Sequence, residues 1–254
     1  MRIGWIGMAA VLCGGCLVGD GYDAQSGDIE RGPIIVNNAA GTAQAVAIFR
    51  HILGEPNNGV APGAFATGRR EINWDAVPAT VTNTDSFPLS FFNTNSPRGA
   101  LLATPGSGTR VSDNDFADVN PSYAGEFADF SPVKTFAAVG SNQIDVTFRV
   151  PGTPEVATVT GFGAVFSDVD TTTSAVQFFD EAGNLLSVVQ PKQGKDGFGF
   201  AGEVFPSAVV ARVHLIVGDG PIGPTAFDRK AGGTQDLVVV DDFLYGEPQG
   251  TGHQ

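Results

Sequence analysis

The sequence predicts an all-β fold, an antiparallel two-sheet sandwich of jelly-roll type, and three observations carry that prediction. Gly and Pro (34 and 16 residues) make up about a fifth of the 254 residues, well above the ordinary share, which favours short strands and many turns. From residue 54 to the C-terminus, short runs of alternating apolar residues follow one another between clusters of Gly, Pro, Asn and Asp. No helical pattern separates those runs, which argues against a parallel α/β sheet.

The chain opens with MRIGWIGMAAVL, one basic residue followed by an apolar run too short to span a bilayer, and residues 1–16 read as a signal peptide. Small residues precede Cys16 in Cys13-Gly14-Gly15-Cys16, so the segment resembles a bacterial lipobox ending at Cys16, which would be the lipidated first residue of the mature chain. Leu12 lies four residues before Cys16, where a lipobox carries leucine three before, and a plain signal peptide cleaved a few residues later is the alternative. A redox or metal role for the CxxC pair lacks the second ligand pair or βαβ setting it would need. Residues 17–33, rich in Gly and Asp, read as a linker to a folded body. Residues 34–248 read as one sandwich domain, in which two lobes could meet near residue 131, and 249–254 as a tail.

Within the domain, Ala39–Leu53 places Val46, Phe49, Ile52 and Leu53 at helical spacing, yet Ala45–Phe49 also passes for a strand, and the expectation leans toward strand. Gly54–Gly59 is a turn cluster. The clearest strand is Gln143–Val150: Ile144, Val146, Phe148 and Val150 face one way and Gln143, Asp145, Thr147 and Arg149 the other. Further strands are expected at Ala157–Thr160, Gly163–Phe166 and Val176–Phe179. Asp180–Asn184 supplies hairpin-turn chemistry for the return strand Leu185–Val189. Val209–Val217 and Leu237–Tyr245 complete the set. Phenylalanine, 19 residues against 3 Tyr and 2 Trp, needs no buried polar partner and reads as core between the sheets.

A net charge of −13 and only four lysines exclude the positive stripe that a nucleic-acid binder requires. No GxSxG, HExxH, Walker or EF-hand pattern occurs, and His51, His214 and His253 are scattered. His214 alternates with Val213 and Leu215, which places it on a solvent-facing sheet surface. Gly197–Gly202 (GFGFAG) matches GxGxxG, but Glu203-Val204-Phe205-Pro206 follows and cannot open a long helix, so the glycines read as part of a strand. The sequence therefore reads as no enzyme. Carboxylates are numerous enough for a carbohydrate-active hydrolase with paired acids to be the rival reading.

Two clusters carry site chemistry. Arg69, Arg70, Asn73, Trp74 and Asp75 combine an aromatic platform with groups that bind hydroxyls, as a sugar site would. The bland alternative turns Ile72 and Trp74 into the core and leaves the charges in surface pairs. Asp241 and Asp242 are adjacent in an expected strand, so one shares the face of Val239 and Phe243 and the other that of Val240 and Leu244. Whichever face is buried receives a costly carboxylate. Calcium bound by oxygen ligands, with Asp168 and Asp170 contributing, is one resolution. Hydrogen bonds to a loop, or a strand that ends before the pair, are the other.

The strings GRREINWDAVP (Gly68–Pro78), FFNTNSPRGA (Phe91–Ala100), GFGAVFSDVD (Gly161–Asp170) and DDFLYGEP (Asp241–Pro248) resemble an uncharacterised family of exported bacterial proteins over most of the mature chain. That resemblance lends no activity, ligand or catalytic residue. From about Ser131 onward the pattern also looks like jelly-roll modules of galactose-binding type, and this likeness would place a structural calcium near Asp241 or Asp242. The expectation is an exported, lipid-anchored or extracellular module, non-catalytic, that binds carbohydrate or another cell-surface polymer weakly. A structural cell-envelope protein is the remaining alternative.

Overall fold

The computed structural model describes residues 32–38, 41–194 and 197–253. The expected signal peptide and Cys16 lie outside the described residues. In chain order the elements are β1 (Ile34–Asn37), helix α1 (Thr42–Leu53), β2 (Arg69–Ile72), the one-turn α2 (Phe91–Thr94), β3 (Ala100–Ala103), β4 (Gly108–Ser112) and β5 (Thr135–Val139). There follow β6 (Gln143–Arg149), β7 (Val156–Thr158), β8 (Gly161–Ser167), β9 (Ala175–Phe179), β10 (Leu185–Val189), β11 (Phe198–Val204), β12 (Arg212–Ile216), β13 (Val239–Gly246) and β14 (Gln249–Gly250).

The strands form two antiparallel sheets. One runs β1-β11-β8-β13-β5-β4 with β2 also on β13; the other runs β10-β9-β12-β6-β7-β14 with β3 also on β6. From β7 to β14 only the β9–β10 hairpin stays within a sheet, and every other connection crosses between them. The all-β sandwich read from the sequence is therefore the observed architecture. Gln249 and Gly250, expected in a tail, instead pair with Thr158 and Ala157 of β7.

Alternation decides the core. In β6 Ile144, Val146 and Phe148 are buried and the intervening residues are not, as the pattern demanded. They pack between the sheets with Phe136, Phe162, Phe166, Phe178 and Phe243. The second face of the first sheet is also buried, so β8 and β13 are buried along their whole lengths. Helix α1 covers part of that face, and the loops around Phe116, Tyr123, Phe127 and Ile222 cover another.

Residues 42–53 correct the strand expectation. Thr42, Ala45, Val46, Phe49 and Leu53 recur at helical spacing and form the buried stripe of α1. The paired glycines Gly163 and Gly202 make the floor for it, since a Cβ on either would come within 2.9 Å of the Phe49 ring. The GFGFAG string is thus strand β11, its glycines serving close approach of a helix rather than of a phosphate.

Candidate functional site

The five residues expected to form a sugar site lie on and just after β2, and the structure separates them. Arg70 is fully buried; its Nε and Nη2 each donate to a Glu247 carboxylate oxygen at 2.7 Å, and Nη1 reaches the carbonyls of Gly59 and Ala61. Arg69 bonds Glu71 at 2.7 Å and the Gly54 carbonyl at 2.9 Å. Asp75 accepts from the Lys134 backbone N–H, and burial raises its pKa. Trp74 is 1% exposed, stacked on Phe136 with centroids 4.2 Å apart, and its Nε1 donates to the Asp241 carbonyl at 2.7 Å. An indole closed in this way presents no face for a sugar to stack on, and Arg69 and Arg70 are structural.

Asn73 and Trp74 nevertheless border a cavity of about 330 Å³. Its apolar side is Trp74, Ala76, Val77, Pro78, Phe91 and Phe92, and its polar side is Asn73, Asn95, Ser96 and Arg98. Local structure builds both walls. After β2 the chain turns at Trp74, whose φ of 65° lies in the left-handed region, and Val77 N–H bonds back to the Trp74 carbonyl. Helix α2 ends with the backbone N–H groups of Asn95 and Ser96 both on the Phe91 carbonyl, and Arg98 N–H bonds Phe92. Gly99 follows at φ 80°, where a Cβ would lie 2.3 Å from the Arg149 carbonyl, so the string Pro97-Arg98-Gly99 tolerates no side chain at its last position. Tyr245 Oη donates to the Arg98 carbonyl and fixes this corner to β13.

Arg98 is the charged group of the cavity. Its Nη1 donates to Ser96 Oγ, its guanidinium stands 5.7 Å from the Phe92 ring centre, and its buried Nε has no hydrogen-bond partner. Burial, reinforced by nearby Arg70, holds its pKa below the usual arginine value. Asn95, Ser96 and Arg98 were not singled out from the sequence as ligand groups. The available signal was five polar side chains between Phe92 and the obligatory Gly99. A larger cavity of about 470 Å³ lies at the 221–226 loop, where Arg110 is paired with Asp85 and Asp118 although its buried Nε also has no hydrogen-bond partner.

The four aspartates expected around a metal divide into two regions. Asp241 and Asp242 sit in a β-bulge: Val240 pairs with Phe166 and Phe243 with Ala164, so two residues of β13 oppose Val165 alone. Val240 and Phe243 consequently share the inter-sheet core, which corrects the simple alternation assumed from the sequence. Both carboxylates are buried, at 0% and 3% exposure. Asp241 Oδ2 accepts from the backbone N–H of Phe130 at 2.7 Å and of Ser131 at 3.2 Å. Ser131 Oγ lies 3.1 Å from Asp241 Oδ1 and 2.7 Å from Asp242 Oδ1, and Arg50 Nη2 reaches Asp242 Oδ2 at 3.4 Å. A hydroxyl carries one proton, so both Ser131 contacts are hydrogen bonds only when one carboxyl is protonated and donates to Oγ. Burial and the adjacent Asp242 accordingly push Asp241 up to about 8, and burial raises Asp242. With its oxygens engaged by loop donors, this pair does not fit a calcium site; the hydrogen-bonded resolution holds instead.

Asp168 and Asp170 lie elsewhere, in a nest with acids from two loops. Oxygens of Glu126, Asp168 and Asp228 come within 4.8 Å of one another, as do those of Asp170, Asp228 and Asp236. Asp236 is occupied by the N–H groups of Asp170 and Thr171, and Asp228 by those of Lys230 and Leu237. Asp168 touches the exposed Lys230 ammonium through Oδ1, whereas its buried Oδ2 and the buried Glu126 Oε1 have no hydrogen-bond partner. Burial and repulsion from Asp228 raise Glu126, and burial with Asp228 and Asp236 raises Asp170. Glu126, Asp228 and Asp236 stand in Gly- and Pro-rich loops, the signal that could have marked them.

No family model matches the chain, and no curated protein matches it. A solved structure that does is that of the bacteriophage CBA120 tailspike protein 4 enzymatically active domain, at 16% identity over 66% of this chain and 21% of that one, with a TM-score of 0.29. The chain spans about a fifth of that protein's length, and a likeness at this level carries no argument about function.

Proposed function

We propose that this chain is an exported, non-catalytic module that binds carbohydrate in the cavity between Asn73 and Arg98. The observation that carries the reading is the lining itself: planar hydrogen-bonding groups, Asn73, Asn95 and Arg98, face an apolar wall that includes Val77 and Pro78. A pyranose offers the matching surfaces, hydroxyls at its edge and C–H groups on its face. No carboxylate lines this cavity, whereas glycoside hydrolysis generally employs two, and this favours binding over the hydrolase reading. A polysaccharide panel tests it by affinity electrophoresis. The full chain should be retarded by at least one polymer, and Asn95→Ala should weaken that retention about threefold to tenfold, the loss expected for one hydrogen bond to the ligand. Migration equal to a non-binding control on every polymer would sink the proposal.

A structural calcium in the Glu126–Asp168–Asp228 nest is a second, separable proposal, supported by the orphaned Asp168 Oδ2 on a side chain only 4% exposed. The donors are all oxygen, as calcium requires. Calcium–oxygen bonds of about 2.3–2.6 Å put opposed ligands roughly 5 Å apart, the scale of this nest, while magnesium would draw them closer. Millimolar calcium should raise the melting temperature and chelator should lower it, a hundredfold excess over Kd contributing about 2.7 kcal/mol. Asp168→Asn should abolish the response without straining the backbone, because Asn also tolerates the positive φ of 68° at this position. Transitions that coincide with and without calcium would remove the metal.

A further inference from the structure

We infer that the Asn73–Arg98 cavity selects a carboxylate-bearing sugar, a uronate residue of an acidic polysaccharide, and that Arg98 reads the carboxylate. The inference rests on the carbohydrate reading of the same cavity and adds the class of sugar. Among the described residues, Arg50, Arg69, Arg70, Arg110, Arg212 and Arg229 each reach a carboxylate. Arg98 and Arg149 do not, and of these two Arg98 lines the cavity. Its one side-chain hydrogen bond runs from Nη1 to Ser96; Nε is orphaned but enclosed, and Nη2 makes no hydrogen bond to the protein.

Nη2 and the second N–H of Nη1 form the outer edge of the guanidinium, a planar fork that takes a carboxylate through two parallel N–H···O bonds. The Phe92 ring beside it limits how the guanidinium can turn. A partly buried cation without a counterion is costly, and a ligand carboxylate would lift that cost, so the acid binds more tightly than its neutral analogue. The protein as a whole carries −13 and repels polyanions. Preference for an acidic polymer would therefore report this cavity and not a diffuse basic surface. Asn73 and Asn95 remain for the ring hydroxyls.

The test compares polygalacturonate, its methyl ester and neutral galactan against the full chain by titration calorimetry in 0.15 M salt, roughly physiological ionic strength. The acid should bind at least about tenfold more tightly than its ester. Arg98→Gln should bring the acid-to-ester affinity ratio down to about one, whatever it does to overall affinity, and Arg98→Lys, which keeps the charge and loses the fork, should restore only part of the ratio. Equal affinity for acid and ester overturns the inference and leaves carbohydrate binding standing. Absence of binding to all three polymers, together with failure of the wider panel, overturns both. If a sulfated galactan outcompetes polygalacturonate, the cavity reads sulfate and the carboxylate assignment is wrong. Should Arg98→Gln not fold, the acid-to-ester ratio of the unmodified chain still decides.

Discussion

Arg70 and Arg98 stand on either side of the same corner of the sandwich and show what a buried arginine is for. Arg70 is closed in, held at both ends of its fork by Glu247 and satisfied further by backbone carbonyls. Arg98 opens on a cavity with one serine for company. The first has no bonding capacity left to offer a ligand, and the second has a free edge. The acids repeat the contrast: Asp241 and Asp242 are enclosed by Phe130, Ser131 and Arg50, while Asp168 keeps an unpartnered oxygen beside the exposed Lys230 ammonium. Burial of charge alone does not mark a site. Burial with an unmet hydrogen-bonding group is what the two proposals rest on.

The sharpest break of this comparison is a matched pair of substitutions. Arg70→Met should cost about 3–5 kcal/mol, because it strands the Glu247 carboxylate inside the protein. Arg98→Met should change stability by no more than about 1 kcal/mol, because it strands nothing and removes an uncompensated charge. Urea unfolding of both variants reads the difference directly. Similar losses for the two would mean that Arg98 is as structural as Arg70, and the cavity would lose its main claim to a ligand.

Much of this architecture was legible in the sequence. Strand β6 showed its alternation plainly, and β9, the 180–184 turn and β10 could be placed from turn chemistry. Helix α1 was misread because Val46 and Phe49 fit either period. What settles it is the Gly163–Gly202 floor two strands away, which only the register of β8 against β11 creates. Trp74 looked like a platform because its neighbours are polar, yet the rings of Phe92, Phe136 and Phe243 that enclose it come from three distant segments. The Asp241–Asp242 dilemma was posed correctly from alternation, and its answer, a bulge, is a property of two paired strands and invisible in one. The missing partner of Arg98 is likewise a fact about what does not come near it, which no local string can state.

The last test concerns the enclosed acids, and its sign follows from which state holds the proton. Asp241 titrates near 8 in the folded chain against 3.8 for an ordinary aspartate, so the folded state binds the proton more tightly. Its contribution to stability is complete below about pH 4 and is lost progressively as the pH rises through 8. Asp241→Asn should mimic the protonated acid: the amide oxygen can accept from Phe130 and Ser131 N–H, and the amide NH₂ can donate to Ser131 Oγ. The variant should match the parent near pH 4 and melt above it near pH 9, by roughly 2–4 °C for each kcal/mol recovered. A gap between the two that does not widen with pH would show that Asp241 is ionised throughout. In that case the Phe130 and Ser131 donors with Arg50 would already balance the pair, and the enclosed acids would be as fully compensated as Arg70.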